Sequence, residues 1–267
     1  MNRALFAQTV RSQLTKLVIV CLGLAIWGGL FPIIYVSFGD MFRQLIGSGL
    51  IPEELMNFGG GDVFTLSGSV ALGSIHPIAL VLNSIFAVGF AAAAVAEERQ
   101  RGTLEVLLAR PLSRRTVYLT LLAAVLLFVA IAVGATIGGV LAGSALSGVA
   151  DALAVEQLPL LWANGVLLFG AIGAIGLAAS VSFDRLSPAL GITVALVVVM
   201  YVLEVLGSIW PDAEFLQPYS LFHYYDPKDV LEGTVRAFDL GVLAVVAVVA
   251  IGWALFEFPR RDLAAPS

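Results

Sequence analysis

The sequence predicts an all-α integral membrane protein with six transmembrane helices, and three observations carry that prediction. Of 267 residues, 60% are hydrophobic and only 12% charged, with a mean hydropathy of +0.98. Soluble domains carry about 25% charged residues, and a single core cannot hide so much apolar side chain. Six apolar runs each reach the roughly 20 residues that a bilayer crossing needs: 17–38, 77–96, 117–140, 159–181, 188–210 and 238–257. The basic residues then fall on one side of this layout. Arg3, Arg11, Lys16, Arg99, Arg101, Arg110, Arg114, Arg115, Arg185, Arg260 and Arg261 share one face, against Arg43, Lys228 and Arg236 on the other. Positive charge marks the cytoplasmic side, so both termini are expected there, with 1–267 forming a single transmembrane domain.

The elements follow in order. Residues 1–16 place Leu5, Phe6, Val10 and Leu14 at helical spacing between Arg3, Gln8, Arg11 and Lys16. That pattern suits a short amphipathic helix lying along the membrane before the chain turns inward, or else a soluble lead-in helix. The first crossing is longer than a signal-peptide core and no small-residue cleavage motif follows it. The external segment 39–76 contains the mixed stretch Met41 to Phe58 and the triplet Gly59-Gly60-Gly61. In the third and fourth crossings, Gly134-xxx-Gly138, Gly139-xxx-Gly143, Gly170, Gly173, Gly176 and Ser180 mark close helix packing, within the chain or between copies. The loop at Asp184-Arg185 is short. Glu204 is the one formal charge well inside a predicted crossing, which makes it a functional candidate by default; a structural hydrogen bond or an interfacial position is the plainer reading. The second external segment, 211–237, brings Phe215, Tyr219, Phe222, Tyr224 and Tyr225 after Trp210, an interfacial aromatic belt or the lining of a vestibule. Twelve acids against three bases lie on the external side, either a rim for cations or a solvated surface.

Composition removes other classes. The single cysteine, Cys21, excludes an intrachain disulfide and a cysteine-based zinc cluster. The net charge of -5 argues against a nucleic-acid partner, and no metal-binding motif occurs. A phosphate-cradling loop needs Gly-Lys followed by Ser or Thr; Lys16 follows Thr15 and Lys228 follows Pro227, the only lysines present.

The most informative stretch is 97–118, EERQRGTLEVLLARPLSRRTVY, in the cytoplasmic segment 97–116. Leu104, Leu107 and Leu108 fall at i, i+3 and i+4, giving a short helix one apolar face. Thr103 is its expected cap and Pro111 its stop. Such a helix docks into a groove on a partner, or lies on the lipid headgroups.

This run resembles the internal loop of permease subunits of the type-2 ABC (ABC-2 type) export family, with its E-x-x-x-GTLE-x-LL-x-x-P-x-SR pattern. The ending Phe258-Pro259-Arg260-Arg261-Asp262-Leu263 is similar to that family's aromatic-basic-Asp-Leu close. The resemblance implies a permease of an ATP-driven exporter in the plasma membrane of a prokaryotic-type cell. The cytoplasmic helix would be a coupling helix, with Glu97, Glu98, Gly102, Thr103 and Glu105 at its start. Leu107, Leu108, Pro111 and Arg114 would complete the contact with a separate ATPase. It further implies two ATPase copies holding ATP and Mg, a second permease, identical to this chain or a related one, and a cargo route between the permeases. Hydrolysis would belong to the ATPase, with this chain not itself an enzyme and binding no cofactor.

Two other classes stay open on the residues alone. A proton- or ion-coupled carrier would titrate Glu204, although no second intramembrane charge partners it. An intramembrane hydrolase would draw on Ser67, Ser69, Ser74 and His76, although Ser74 and His76 point to different faces of one helix.

Overall fold

The computed structural model describes residues 2–48, 65–109 and 112–261, with backbone alone at 40, 42, 43, 45–47 and 106–108. The described chain is helical throughout. Its elements are α1 (Arg3–Gly47), α2 (Leu66–Ile75), α3 (Pro77–Ser84), a π-helical turn (Ile85–Phe90), α4 (Ala91–Gln100), α5 (Thr103–Leu108) and α6 (Arg114–Leu146). There follow α7 (Leu158–Ser182), α8 (Leu186–Ile209), a 3-10 helix (Pro211–Tyr219), α9 (Pro227–Leu231) and α10 (Ala237–Arg260). Six helical stretches are long and apolar enough to span a bilayer: Arg3–Gly39, Pro77–Gln100, Arg114–Leu146, Val155–Ser182, Leu186–Ile209 and Ala237–Arg260. Each covers one of the six apolar runs.

The N-terminal segment departs from expectation. The sequence predicts a short helix over 1–16, lying along the membrane or leading in from solution before the chain turns inward, but α1 runs unbroken from Arg3 to Gly47. No glycine or proline interrupts residues 3–22, so nothing ends the helix there. Three of the apolar side chains of the segment, Leu5, Phe6 and Val10, also find partners inside the protein, while Leu14 stays exposed. Phe6 and Val10 pack against the cluster of Leu17, Leu24, Phe86 and Phe128, and the Asn2 N–H donates to Thr120 Oγ1 at 2.9 Å. Pro32 lies within α1, where its ring removes one backbone donor. Nearby, α2 is fastened to α1 by Trp27 Nε1 donating to Gly73 O at 2.9 Å and Ser69 Oγ donating to Phe31 O at 3.0 Å.

α1 and α6 run side by side in the same direction, Asn2 meeting Thr120 at one end and Gly29 meeting Gly143 at the other. A Cβ on Gly28, Gly139 or Gly143 would collide with the backbone oxygen of Thr136, Ala25 or Gly29 respectively. The Gly139-xxx-Gly143 motif is therefore spent on a seam within the chain. Gly173 and Gly176 of α7 likewise admit the Ala87 backbone of the π-turn and Val125 of α6. Van der Waals contact along such seams is what holds helices together where lipid removes the hydrophobic driving force. Phe128, Phe169, Leu168, Ile172 and Leu177 on α6 and α7 are fully buried at the centre. The outer faces of α8 and α10 instead expose valines such as Val198, Val199, Val245 and Val248.

Candidate functional site

The GTLE segment sits where α4 ends. Gly102 adopts φ +71, a left-handed conformation that costs an L-residue with a Cβ about 1–2 kcal/mol, and it reverses the chain into α5. Gly102 is the N-cap residue, and Thr103 is the first helical residue rather than the cap. Thr103 Oγ1 reaches back instead to Glu98, donating to its carbonyl at 3.2 Å and bonding its carboxylate. Glu97 pairs with Arg101 one turn along α4. Glu105 is exposed. Leu104, expected on a partner-facing surface with Leu107 and Leu108, is 2% exposed and packed into the bundle core with Val117 and Tyr118. It anchors α5 to the bundle. The side chains of Leu107 and Leu108, together with Pro111, Asp262 and Leu263, lie outside the described residues, as do Gly59-Gly60-Gly61 and most of 41–58.

Beneath α5 the ends of four helices are tied by three arginines, and a fifth is tied by Gln100. Arg99, at the end of α4, is 4% exposed. Its Nη1 donates to Phe183 O at 3.0 Å and Val181 O at 3.4 Å, and meets Asp184 Oδ1 at 3.3 Å. Arg261, just past α10, meets the same Asp184 oxygen at 3.1 Å. Arg114, the first residue of α6, donates to Phe258 O at 3.0 Å and to Arg261 O. Gln100 Oε1 accepts from the Leu186 N–H that opens α8, at 2.9 Å. A buried guanidinium is tolerable only when paired, and carbonyls at helix C-termini attract positive charge. Asp184 and the C-terminal carbonyls of α7 meet both conditions at Arg99 Nη1, while its Nε and Nη2 are buried with no hydrogen-bond partner among the described residues. One turn deeper, Ser180 Oγ accepts from the Val95 and Ala96 N–H groups at 2.9 and 3.0 Å, so α4 cannot slide along α7 without losing both bonds.

The structure thus brings Gly102, Thr103, Glu97, Glu98, Glu105 and Arg114 to one end of the bundle. It adds Arg99, Gln100 and Arg261, which belong to the two family-like stretches but carry no expected role in the contact, and Asp184 of the short loop. Their signal was position: each is a charged or amide side chain within two residues of a helix end.

Glu204 lies at the opposite end. Its Oε1 accepts from Gln217 Nε2 at 3.1 Å, and His223 Nδ1 stands 3.9 Å from Oε2. The 3-10 helix folds back over this end of α8, with Gln217 filling the place a side chain at Gly207 would take. Asp226 caps α9, accepting from Lys228 N at 2.9 Å and Asp229 N at 3.1 Å. Burial raises the Asp226 carboxyl above its ordinary range and lowers the His223 imidazole below its own. The serine candidates are committed elsewhere: Ser69 donates to Phe31 O and Ser74 to Val70 O, while His76 Nδ1 accepts from the Ile78 N–H that opens α3.

Six membrane-capable helices and this helix-end geometry define a multi-pass membrane protein. Residues 6–263, nearly the whole chain, match the family described as ABC-2 family transporter protein, and the chain belongs to that family. Members of this family are the membrane components of transporters. No curated protein matches the chain.

Proposed function

We propose that the chain is the permease subunit of an ABC exporter, with α5 as its coupling helix and the tied ends of α4, α6, α7, α8 and α10 as the transmission. The observation that carries the reading is the suspension of α5. It hangs between Gly102 and Arg114, anchored by Leu104, with Glu105 exposed, and both its flanks lead directly into the arginine cluster. A push on α5 is passed through Arg99 to α7 and through Arg114 to α10.

In this reading α5 and the termini face the cytosol, as the eleven-to-three distribution of basic residues favours. The separate ATPase holds ATP and Mg. Two ATPase copies serve two permeases, and the assembly resides in the plasma membrane of a prokaryotic-type cell.

A mild-detergent pull-down from native membranes tests this. A stoichiometric P-loop ATPase is expected with the wild-type chain and lost with Glu105→Arg. Recovery of the chain alone, in a preparation that still transports, overturns the reading.

A further inference from the structure

Two cavities adjoin at the end of the bundle opposite the arginines. One, of about 310 Å³, is polar and contains Glu204, Gln217 and His223. The other, of about 380 Å³, is almost wholly apolar and runs between α8 and α3 with its π-turn. Leu80, Tyr201 and Phe222 line both, forming a common wall. Each reaches the roughly 300 Å³ at which ligand pockets begin. The apolar cavity is flanked by Val81, Val194 and Val198, which are 65%, 42% and 53% exposed, so it opens on the flank of the bundle.

The polar cavity has an unmet electrostatic need. Glu204 Oε2 is buried and has no hydrogen-bond partner among the described residues, a costly state for a carboxylate oxygen. Asp226 lines the same space and adds to the negative charge. Arg236, the one guanidinium among the described lining residues, stands 3.1 Å from Asp239 and is already paired. His223 does not supply the missing charge, because burial favours its neutral form and its ring nitrogen lies beyond hydrogen-bonding distance of Oε2. In the wall between the cavities, Tyr201 and Phe222 meet edge to face with centroids 5.9 Å apart, so a chain that occupies both has to part these rings, and aromatic faces accept ammonium groups.

We propose that the two adjoining cavities, with the Tyr201 and Phe222 rings parted, bind a single-chain amphiphile with a protonated amine head, its ammonium on Glu204 Oε2 and its hydrocarbon tail along Val81, Val194 and Val198. Charge selects the head and the lipid-side opening selects the tail. The ligand belongs to the permease reading as a cargo class entering from the bilayer. Its binding requires no ATPase, so this proposal and that reading fail separately.

The test is saturable binding of radiolabelled dodecylammonium to the purified full chain in zwitterionic lipid nanodiscs. Wild type is expected to bind it, with affinity at least tenfold weaker in Glu204→Gln, an isosteric change, and in Val198→Trp, which fills the tail groove from an exposed position. Methylammonium and dodecyl sulfate are expected to compete poorly, the first lacking the tail and the second carrying the wrong charge. Unchanged affinity in monodisperse Glu204→Gln, or equal competition by dodecyl sulfate, overturns the proposal. So does a Val198→Trp variant that loses self-association while keeping the affinity, since a second copy of the chain would then be the occupant.

Discussion

Arg99 shows at residue scale what the burial of one charge does. Its guanidinium is nearly sealed off, and the Asp184 side chain that it meets is half exposed, so much of its support comes from the carbonyls of Val181 and Phe183. Arg99→Ala leaves the partly buried Phe183 carbonyl unmet and Val181 O with Arg261 Nη1 as its remaining donor, at a cost of about 2 kcal/mol. For a chain of this size, thermal unfolding in detergent is expected to shift down by roughly 4–8 °C. The two histidines add a pH dependence at the other end. Burial lowers both imidazoles below the ordinary 6.5, and His76 Nδ1 must stay unprotonated to accept from Ile78. The unfolded chain therefore binds protons first: this stabilisation is complete above pH 6.5 and is lost as pH falls through 6.5 toward the depressed folded values. Asp226, raised by burial, acts in the opposite sense at lower pH. The melting-temperature advantage of wild type over the His76→Gln/His223→Gln double variant is expected to shrink as pH falls from 7.5 to 5.

The packing seams separate two kinds of glycine at the scale of elements. Gly139 of α6 touches the α1 backbone, whereas nothing lies within 4 Å of a Cβ placed on Gly138. Gly139→Leu is expected to split α1 from α6 and give an aggregated profile on size-exclusion chromatography, while Gly138→Leu keeps a monodisperse peak. The small-residue motif was legible in the sequence, but its partner was not: Ala25, Gly28 and Gly29 lie more than a hundred residues away, in a helix read mainly for its hydropathy. α5 gives the same lesson. Its leucine spacing was legible, yet one of those leucines turned out to be its anchor in the core, because periodicity reports a face and not what covers it.

On the scale of the whole molecule, sidedness is the property most open to direct measurement. The single Cys21 lies within α1 and is partly buried, so a Cys21→Ser background permits site-specific labelling. In intact cells, a membrane-impermeant maleimide is expected to label Phe215→Cys, whose native side chain is 69% exposed, and to spare Glu105→Cys until the membrane is permeabilised. The reverse pattern would invert the orientation and remove α5 from the cytosolic ATPase.

The number, order and approximate length of the crossings were determined by sequence alone, because transfer into hydrocarbon sums over consecutive residues. The expected sidedness also followed, from the placement of charge between those runs. Tertiary structure decided which charges are buried together, which glycines meet and where Glu204 points. Arg99 and Asp184 are 85 positions apart and Arg114 and Phe258 are 144 apart, separations over which no local pattern carries information. It also decided that α1 is continuous, since the apolar face of residues 3–16 had two competing places to be buried, the membrane surface or the bundle. Only the presence of α6 alongside made the second available.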